Sequence, residues 1–187
     1  MLETARSILK RDPAAHSLLE VVLTYPGLHA LFWYRIAHYL SKHKLDVLAG
    51  LVSRHGARQT GILIAPAAQI GKRVFIDHGV GVVIGETAVI EDDVTLLHGV
   101  TLGSRHETAV QKRHPHVKQG AFIGANAQIL GPIVIGEESK VGAGAVVLTD
   151  VPARTTVVGA PAQLVTHHKN KVIQVSFSEN QQESAEL

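Results

Sequence analysis

Aliphatic residues recur every six positions through most of this chain, and that period constrains the fold more than any other feature. They stand at Ile64, Ile70, Ile76, then Ile84, Ile90, Leu96 and Leu102, and again at Val117, Ile123, Ile129, Ile135, Val141 and Val147. Gly follows at once in Ile70-Gly71, Ile84-Gly85, Leu102-Gly103, Ile123-Gly124, Ile135-Gly136 and Val141-Gly142. A period of six fits neither a helix, at 3.6, nor an alternating strand, at 2. It fits a β-solenoid whose coil has three flat faces, one hexad to each. The aliphatic side chain then points into the prism, and small residues occupy the corners.

Two breaks in the beat are as informative. Eight residues separate Ile76 from Ile84, so two extra residues sit near Asp77-His78-Gly79. Fifteen separate Leu102 from Val117, and the excess must leave the solenoid as a loop, roughly 104–116. That loop carries Arg105, His106, Glu107, Lys112, Arg113, His114 and His116. A solenoid extrudes such loops without breaking its core, and they often carry function. Aromatic residues make up only 4% of the 187 residues, against 45% hydrophobic overall, as a thin aliphatic prism requires.

Residues 1–61 read as an N-terminal helical module. Asp12-Pro13 has the form of a helix start, with Asp as cap and Pro at the first helical position, and the helix is expected to run over 14–23. Pro26-Gly27 interrupts it. Leu28, Leu31, Phe32, Arg35, Ile36, Tyr39 and Leu40 follow a helical stripe. Leu45, Leu48, Leu51 and Val52 suggest a third helix ending near Gly61. This module is expected to cap the open first coil. The solenoid spans 62–165, closing with Gly159-Ala160-Pro161-Ala162 as a terminal turn. Residues 166–187 form a tail whose polar end, 176–187, is expected to be disordered.

Composition excludes several classes. Net charge is +2, with no basic run interleaved with aromatics, so no nucleic-acid surface is expected. There is no cysteine, hence no disulfide framework or thiolate chemistry. No apolar run approaches the ~20 residues of a membrane span, and Met1 to Asp12 lacks a signal-peptide core, so a cytoplasmic enzyme is expected.

Assigning hexads to faces in turn places those beginning at Ile76, Leu96, Ile123 and Val141 on one face. Their third residues, His78, His98, Ala125 and Ala143, then form a column, with His78 and His98 one coil apart, roughly 5 Å. Above the histidines the column shrinks to Ala, leaving a groove suited to a long, thin ligand.

The residues also carry a resemblance. Asp12-Pro13-Ala14, Tyr25-Pro26-Gly27-Leu28-His29-Ala30, Tyr34-Arg35-Ile36-Ala37-His38, Pro66-Ala67-Ala68-Gln69-Ile70-Gly71, Ile76-Asp77-His78-Gly79, Val83-Ile84-Gly85-Glu86-Thr87-Ala88, Gly99-Val100-Thr101-Leu102-Gly103, Arg113-His114-Pro115 and Gly159-Ala160-Pro161-Ala162 are motifs of this kind. The chain resembles the serine O-acetyltransferases of the hexapeptide-repeat acyltransferase superfamily. That resemblance implies a left-handed parallel β-helix and a homotrimer with active sites between neighbouring subunits. It implies acetyl transfer from acetyl-CoA to the hydroxyl of L-serine, with His78 as general base and His114 across the site. Arg113 would hold the serine carboxylate, and Asp12 and Asp77 would face its ammonium group. The pantetheine arm would run past Gly103 along Ala125 and Ala143, and no metal is called for. An imidazole has the right basicity for this task, and a planar guanidinium suits a carboxylate.

The chain departs from the pattern at four places. The family's Asp-Ile-His reads Leu63-Ile64-Ala65 here, so the carboxylate that pairs with the base is missing, and Lys112 stands where the family often has Asp. The extra N-terminal helices that join two trimers in long members are not seen, which favours a trimer. Many relatives end in Ile, which docks into O-acetylserine sulfhydrylase; the terminal Leu187 could imitate it in a complex through the tail. Three other readings stay open: acetyl transfer to another small hydroxyl or amine, a non-catalytic β-helix binding module, and a γ-type carbonic anhydrase with zinc on His78, His98, His114 or His116. The Arg113-His114-Pro115 loop and the Asp12 lead-in speak for the acyltransferase.

Overall fold

The computed structural model describes residues 1–105 and 112–164. Three parallel sheets form the faces of a prism. The first holds β1 (Leu63–Ile64), β4 (Val83–Ile84), β7 (Thr101–Gly103), β10 (Gln128–Leu130) and β13 (Val146–Val147). The second holds β2 (Gln69–Ile70), β5 (Val89–Ile90), β8 (His116–Val117) and β11 (Val134–Ile135). The third holds β3 (Phe75–Ile76), β6 (Thr95–Leu96), β9 (Phe122–Ile123), β12 (Lys140–Val141), β14 (Thr156–Val158) and β15 (Gln163–Leu164), the last antiparallel to β14.

The sixfold beat is the register of these sheets. Ile76 lies opposite Leu96, Leu96 opposite Ile123, and Ile123 opposite Val141. Each of these residues is buried, and they stack into one continuous core with Ile84, Leu102, Ile129 and their neighbours. The loop ends earlier than its composition suggests: His116 belongs to β8, opposite Val89 and Val134, and bonds to Glu91. Its polar side chain is the outward partner of the buried Val117, as strand alternation requires. Residues 106–111 of the loop and the tail from 165, with Leu187, lie outside the described residues.

The helical module differs from its sequence reading at its start. α1 (Leu2–Arg11) ends at Asp12 rather than beginning there, and α2 (Leu18–Thr24) is capped by Ser17, whose hydroxyl accepts the Glu20 N–H. Pro serves both ends of a helix, since it cannot continue one and is tolerated in the first turn of another. α3 (Pro26–Lys42) likewise begins at Pro26, and α4 (Asp46–Thr60) ends on the left-handed Gly61.

In the first coil, backbone N–H groups bond upward, as Leu63 N–H does to the Val82 carbonyl, so its own carbonyls have no strand below them. Helix side chains supply the partners. Ser53 donates to the Ile64 carbonyl (2.7 Å), His38 Nδ1 lies 2.7 Å from that of Pro66, and Tyr34 donates to that of Ala68 (2.6 Å). Arg35 reaches the carbonyls of Ile70 and Gly71, and Arg11 that of Arg73. The Tyr34 hydroxyl also accepts the Ile70 N–H. Each such bond contributes about 1 kcal/mol net, and leaving a buried carbonyl unpaired costs about 1–3 kcal/mol. The module therefore closes a sheet end that would otherwise recruit another strand. A smaller core of Ala5, Ile8, Val21, Leu28 and Phe75 joins α1, α2 and α3 to β3. No helix among the described residues is long and apolar enough to cross a membrane.

Candidate active site

The residues singled out in the sequence fall on two corners of the prism. The corner between the third and first sheets carries Asp77, His78, His98, Ala125 and Ala143, each just after a strand of the third sheet. The two extra residues after Ile76 bulge there. Gly79 N–H bonds to the Asp77 carbonyl (2.6 Å), and Gly81 N–H to that of Gly61 (2.9 Å). Gly79 is left-handed, and a Cβ on it would lie 2.4 Å from Ile62 Cδ1, so only Gly fits the bulge. The bulge pushes His78 outward, its side chain 77% exposed with φ +56°. The His78 and His98 rings meet edge to face at 6.1 Å between centroids.

His78 has little to hold it. Leu63, on β1, is 46% exposed and offers no carboxylate. Among the described residues the acidic group in ion-pair range is Asp77, whose Oδ1 lies 3.8 Å from Nε2, too long for a hydrogen bond. Asp12 stands at the end of α1. Its Oδ1 accepts the Ala14 N–H (2.8 Å), and its Oδ2 accepts the Tyr25 hydroxyl (2.7 Å). Burial pushes the Tyr25 phenol up to about 12, helped by its bond to Asp12 and by the charges of Asp12, Glu20 and Asp77. The Asp12 and Asp77 charges thus both reach the neutral Tyr25, and Asp77 is the carboxylate beside His78. Tyr25 was given no role in the sequence; its signal there is its place in the Tyr25-Pro26-Gly27-Leu28-His29-Ala30 motif.

The corner between the first and second sheets carries Gly103, Arg113 and His114. Arg113 pairs with Glu86 at 2.9 Å. His114 is buried, 7% exposed, with its ring packed over Gly85. The Thr87 N–H (3.1 Å) and Thr87 hydroxyl (2.8 Å) both reach His114 Nδ1, and the Thr87 oxygen in turn accepts the N–H groups of Arg113 and His114. Two donors aimed at Nδ1 leave the neutral ring its proton on Nε2. Glu86 and Thr87 are therefore the parts of this corner that the sequence reading missed; each lies 27 residues from the side chain it holds.

Burial lowers the His114 pKa, the Arg113 charge lowers it further, and Glu86 opposes both. The unfolded chain then binds this proton more readily than the folded one. Stability from this group is complete above its ordinary value near 6.5 and is lost as pH falls from there through the folded value. The denaturant midpoint is expected to drop between pH 7 and 5.5, and less so in His114→Gln, as denaturation curves at each pH would show.

One hexad of chain separates the two corners, about 15–20 Å at strand rise. His78 and His114 of one chain therefore cannot touch the same hydroxyl. Nor does Gly103 lie on the corner of Ala125 and Ala143. Among the described residues no three His, Cys, Asp or Glu side chains converge to hold a metal ion, and His116 is engaged with Glu91 on the second sheet.

A three-sided hexapeptide prism with histidines at its corners fits a hexapeptide-repeat transferase. Residues 114–149 match the bacterial transferase hexapeptide (six repeats) family. The serine acetyltransferase of Bacillus subtilis strain 168 is 51% identical over 170 residues, covering 91% of this chain and 78% of that one. That of Mycobacterium tuberculosis H37Rv is 50% identical over 160 residues, covering 86% and 69%. The crystal structure of the Brucella abortus S19 serine acetyltransferase in complex with coenzyme A superposes with a TM-score of 0.84 at 41% identity, covering 87% of this chain and 64% of that chain. A serine acetyltransferase in complex with cysteine superposes at 0.85, also at 41% identity. The chain belongs to the serine acetyltransferase family, acetyl-CoA-dependent acyltransferases built on a left-handed parallel β-helix.

Proposed function

We propose that this protein transfers the acetyl group of acetyl-CoA to the hydroxyl of L-serine, giving O-acetylserine for cysteine biosynthesis, in sites shared between the subunits of a homotrimer. The observation that carries this reading is the exposed His78 imidazole with Asp77 3.8 Å away, together with the Asp12 carboxylate that Tyr25 holds; carboxylates suit an ammonium group. His78 takes the hydroxyl proton as the serine oxygen attacks the thioester carbon. The tetrahedral oxyanion collapses, the C–S bond breaks, and the imidazolium returns the proton to the departing thiolate. His114 presents its Nε2–H from the opposite side, Arg113 takes the serine carboxylate, and backbone N–H groups along the groove face the oxyanion. The pantetheine arm follows Ala125 and Ala143 of one subunit and Gly103 of the next.

The separation of the two corners supports the shared site. The first sheet lies between them, and its outward ladder of Leu63, Val83, Thr101, Gln128 and Val146 carries no charge. Turning that face to a threefold axis brings one subunit's His78 corner toward its neighbour's His114 corner. A cytoplasmic setting, where acetyl-CoA is available, belongs to the same reading. So does docking of the C-terminal tail onto O-acetylserine sulfhydrylase.

Free-thiol release from acetyl-CoA tests the proposal, with L-serine, homoserine, threonine or no acceptor. Serine-dependent release is expected. Release with another acceptor alone would move the substrate, and coenzyme A binding without release would leave a binding module.

A further inference from the structure

We infer that Tyr25 is a positioning residue for the acyl acceptor: its hydroxyl holds the Asp12 carboxylate in the orientation that receives the acceptor's ammonium group. The inference rests on the proposed placement of Asp12 at that group.

Asp12 sits where a helix has just ended, its N–H on the Ile8 carbonyl and its own carbonyl accepting the Ala15 N–H. Two bonds fix its carboxylate. The Ala14 N–H binds Oδ1 at 2.8 Å, a local turn that alone leaves rotation about the side chain, and the Tyr25 hydroxyl binds Oδ2 at 2.7 Å from thirteen residues away. Each carboxylate oxygen has room for a second donor. With one side of both oxygens occupied, the free side has a fixed direction.

A neutral donor is the right kind of anchor. A Lys or Arg at this place would cancel the charge meant for the ammonium group, whereas a phenol orients the carboxylate and leaves its charge intact. The Tyr25 proton stays in place through any working pH, since burial, the bond to Asp12 and the nearby charges push the phenol up to about 12. The ring itself is anchored, packed against the cluster of Ala5, Ile8, Val21, Leu28 and Phe75 at the junction of α2 and α3. The hydroxyl is thus set by the same small core that docks the helices on β3, which ties acceptor binding to the seating of the helical module.

The test is Tyr25→Phe in the full chain, which keeps the ring packing and removes only the donor. KM for L-serine is expected to rise about tenfold, the loss of one hydrogen bond to a charged group, with kcat within about twofold and KM for acetyl-CoA unchanged. With 3-hydroxypropionate, which has the hydroxyl and carboxylate of serine but no amine, kcat/KM is expected to be the same in wild type and variant. The serine to 3-hydroxypropionate ratio cancels any loss of folded protein, so it reads the effect even if the variant is less stable. An unchanged serine KM, or an equal loss for both acceptors, would overturn the inference. Asp12→Asn run in parallel separates the two levels. No serine effect there removes the ammonium assignment itself, whereas a large effect there with none in Tyr25→Phe overturns only the role of the phenol.

Discussion

His78→Ala is expected to lower kcat by about 10²–10⁴ while leaving the fold and acetyl-CoA binding intact. The size follows from what a general base contributes; the selectivity follows from geometry. The His78 side chain is largely exposed and packs no core, and the bulge that carries it is set by Gly79, Gly81 and Gly61 backbone bonds rather than by the imidazole. Steady-state thiol release with unchanged circular dichroism is the check. A loss confined to KM would assign His78 to binding instead of proton transfer.

Gly85→Ala is the second change with a large effect. Its Cβ would lie 2.0 Å from His114 Cδ2 and 2.1 Å from Nε2, so the ring must leave its place. In leaving, it gives up both Thr87 bonds at Nδ1 and with them its fixed proton on Nε2. Displacement of a reacting group by about 1 Å costs on the order of 10²-fold in rate, so serine kcat/KM should fall at least that far. Stability should fall by only about 1–3 kcal/mol, the usual cost of overpacking. Thiol release and a denaturation curve on the same sample measure both. Activity within a few-fold of wild type would mean that His114 has no part in the site.

How much of this was legible in the sequence follows from the range of each interaction. The hexad beat names the buried residues and the column of His78, His98, Ala125 and Ala143, because coil register is a local count. The break after Ile76 likewise marks the bulge that exposes His78. Asp12-Pro13 misled because a capping Asp and a Pro occur at either end of a helix, and Ala5 and Ile8, which α1 buries, were not read as a stripe. Tyr25, Glu86 and Thr87 could not be found by counting. They act through side-chain bonds between segments, Tyr25 across thirteen residues and Thr87 across a whole coil plus the loop. The resemblance implied a site between neighbouring subunits, with His78 as base and His114 across it. The structure sets them on different corners of one chain, which supports the proposed site shared between subunits.

That last point is the central one, and mixing two inactive variants tests it most directly. His78→Ala and His114→Ala, each alone, are expected to be nearly inactive. Unfolded together in equal amounts and refolded, they would form mixed trimers in which about a quarter of the shared sites have both histidines intact, restoring about a quarter of wild-type serine-dependent thiol release. If mixed trimers form, as mass measurement on differently tagged chains would show, and activity stays at the level of the single variants, the site is not shared between subunits and the account is wrong.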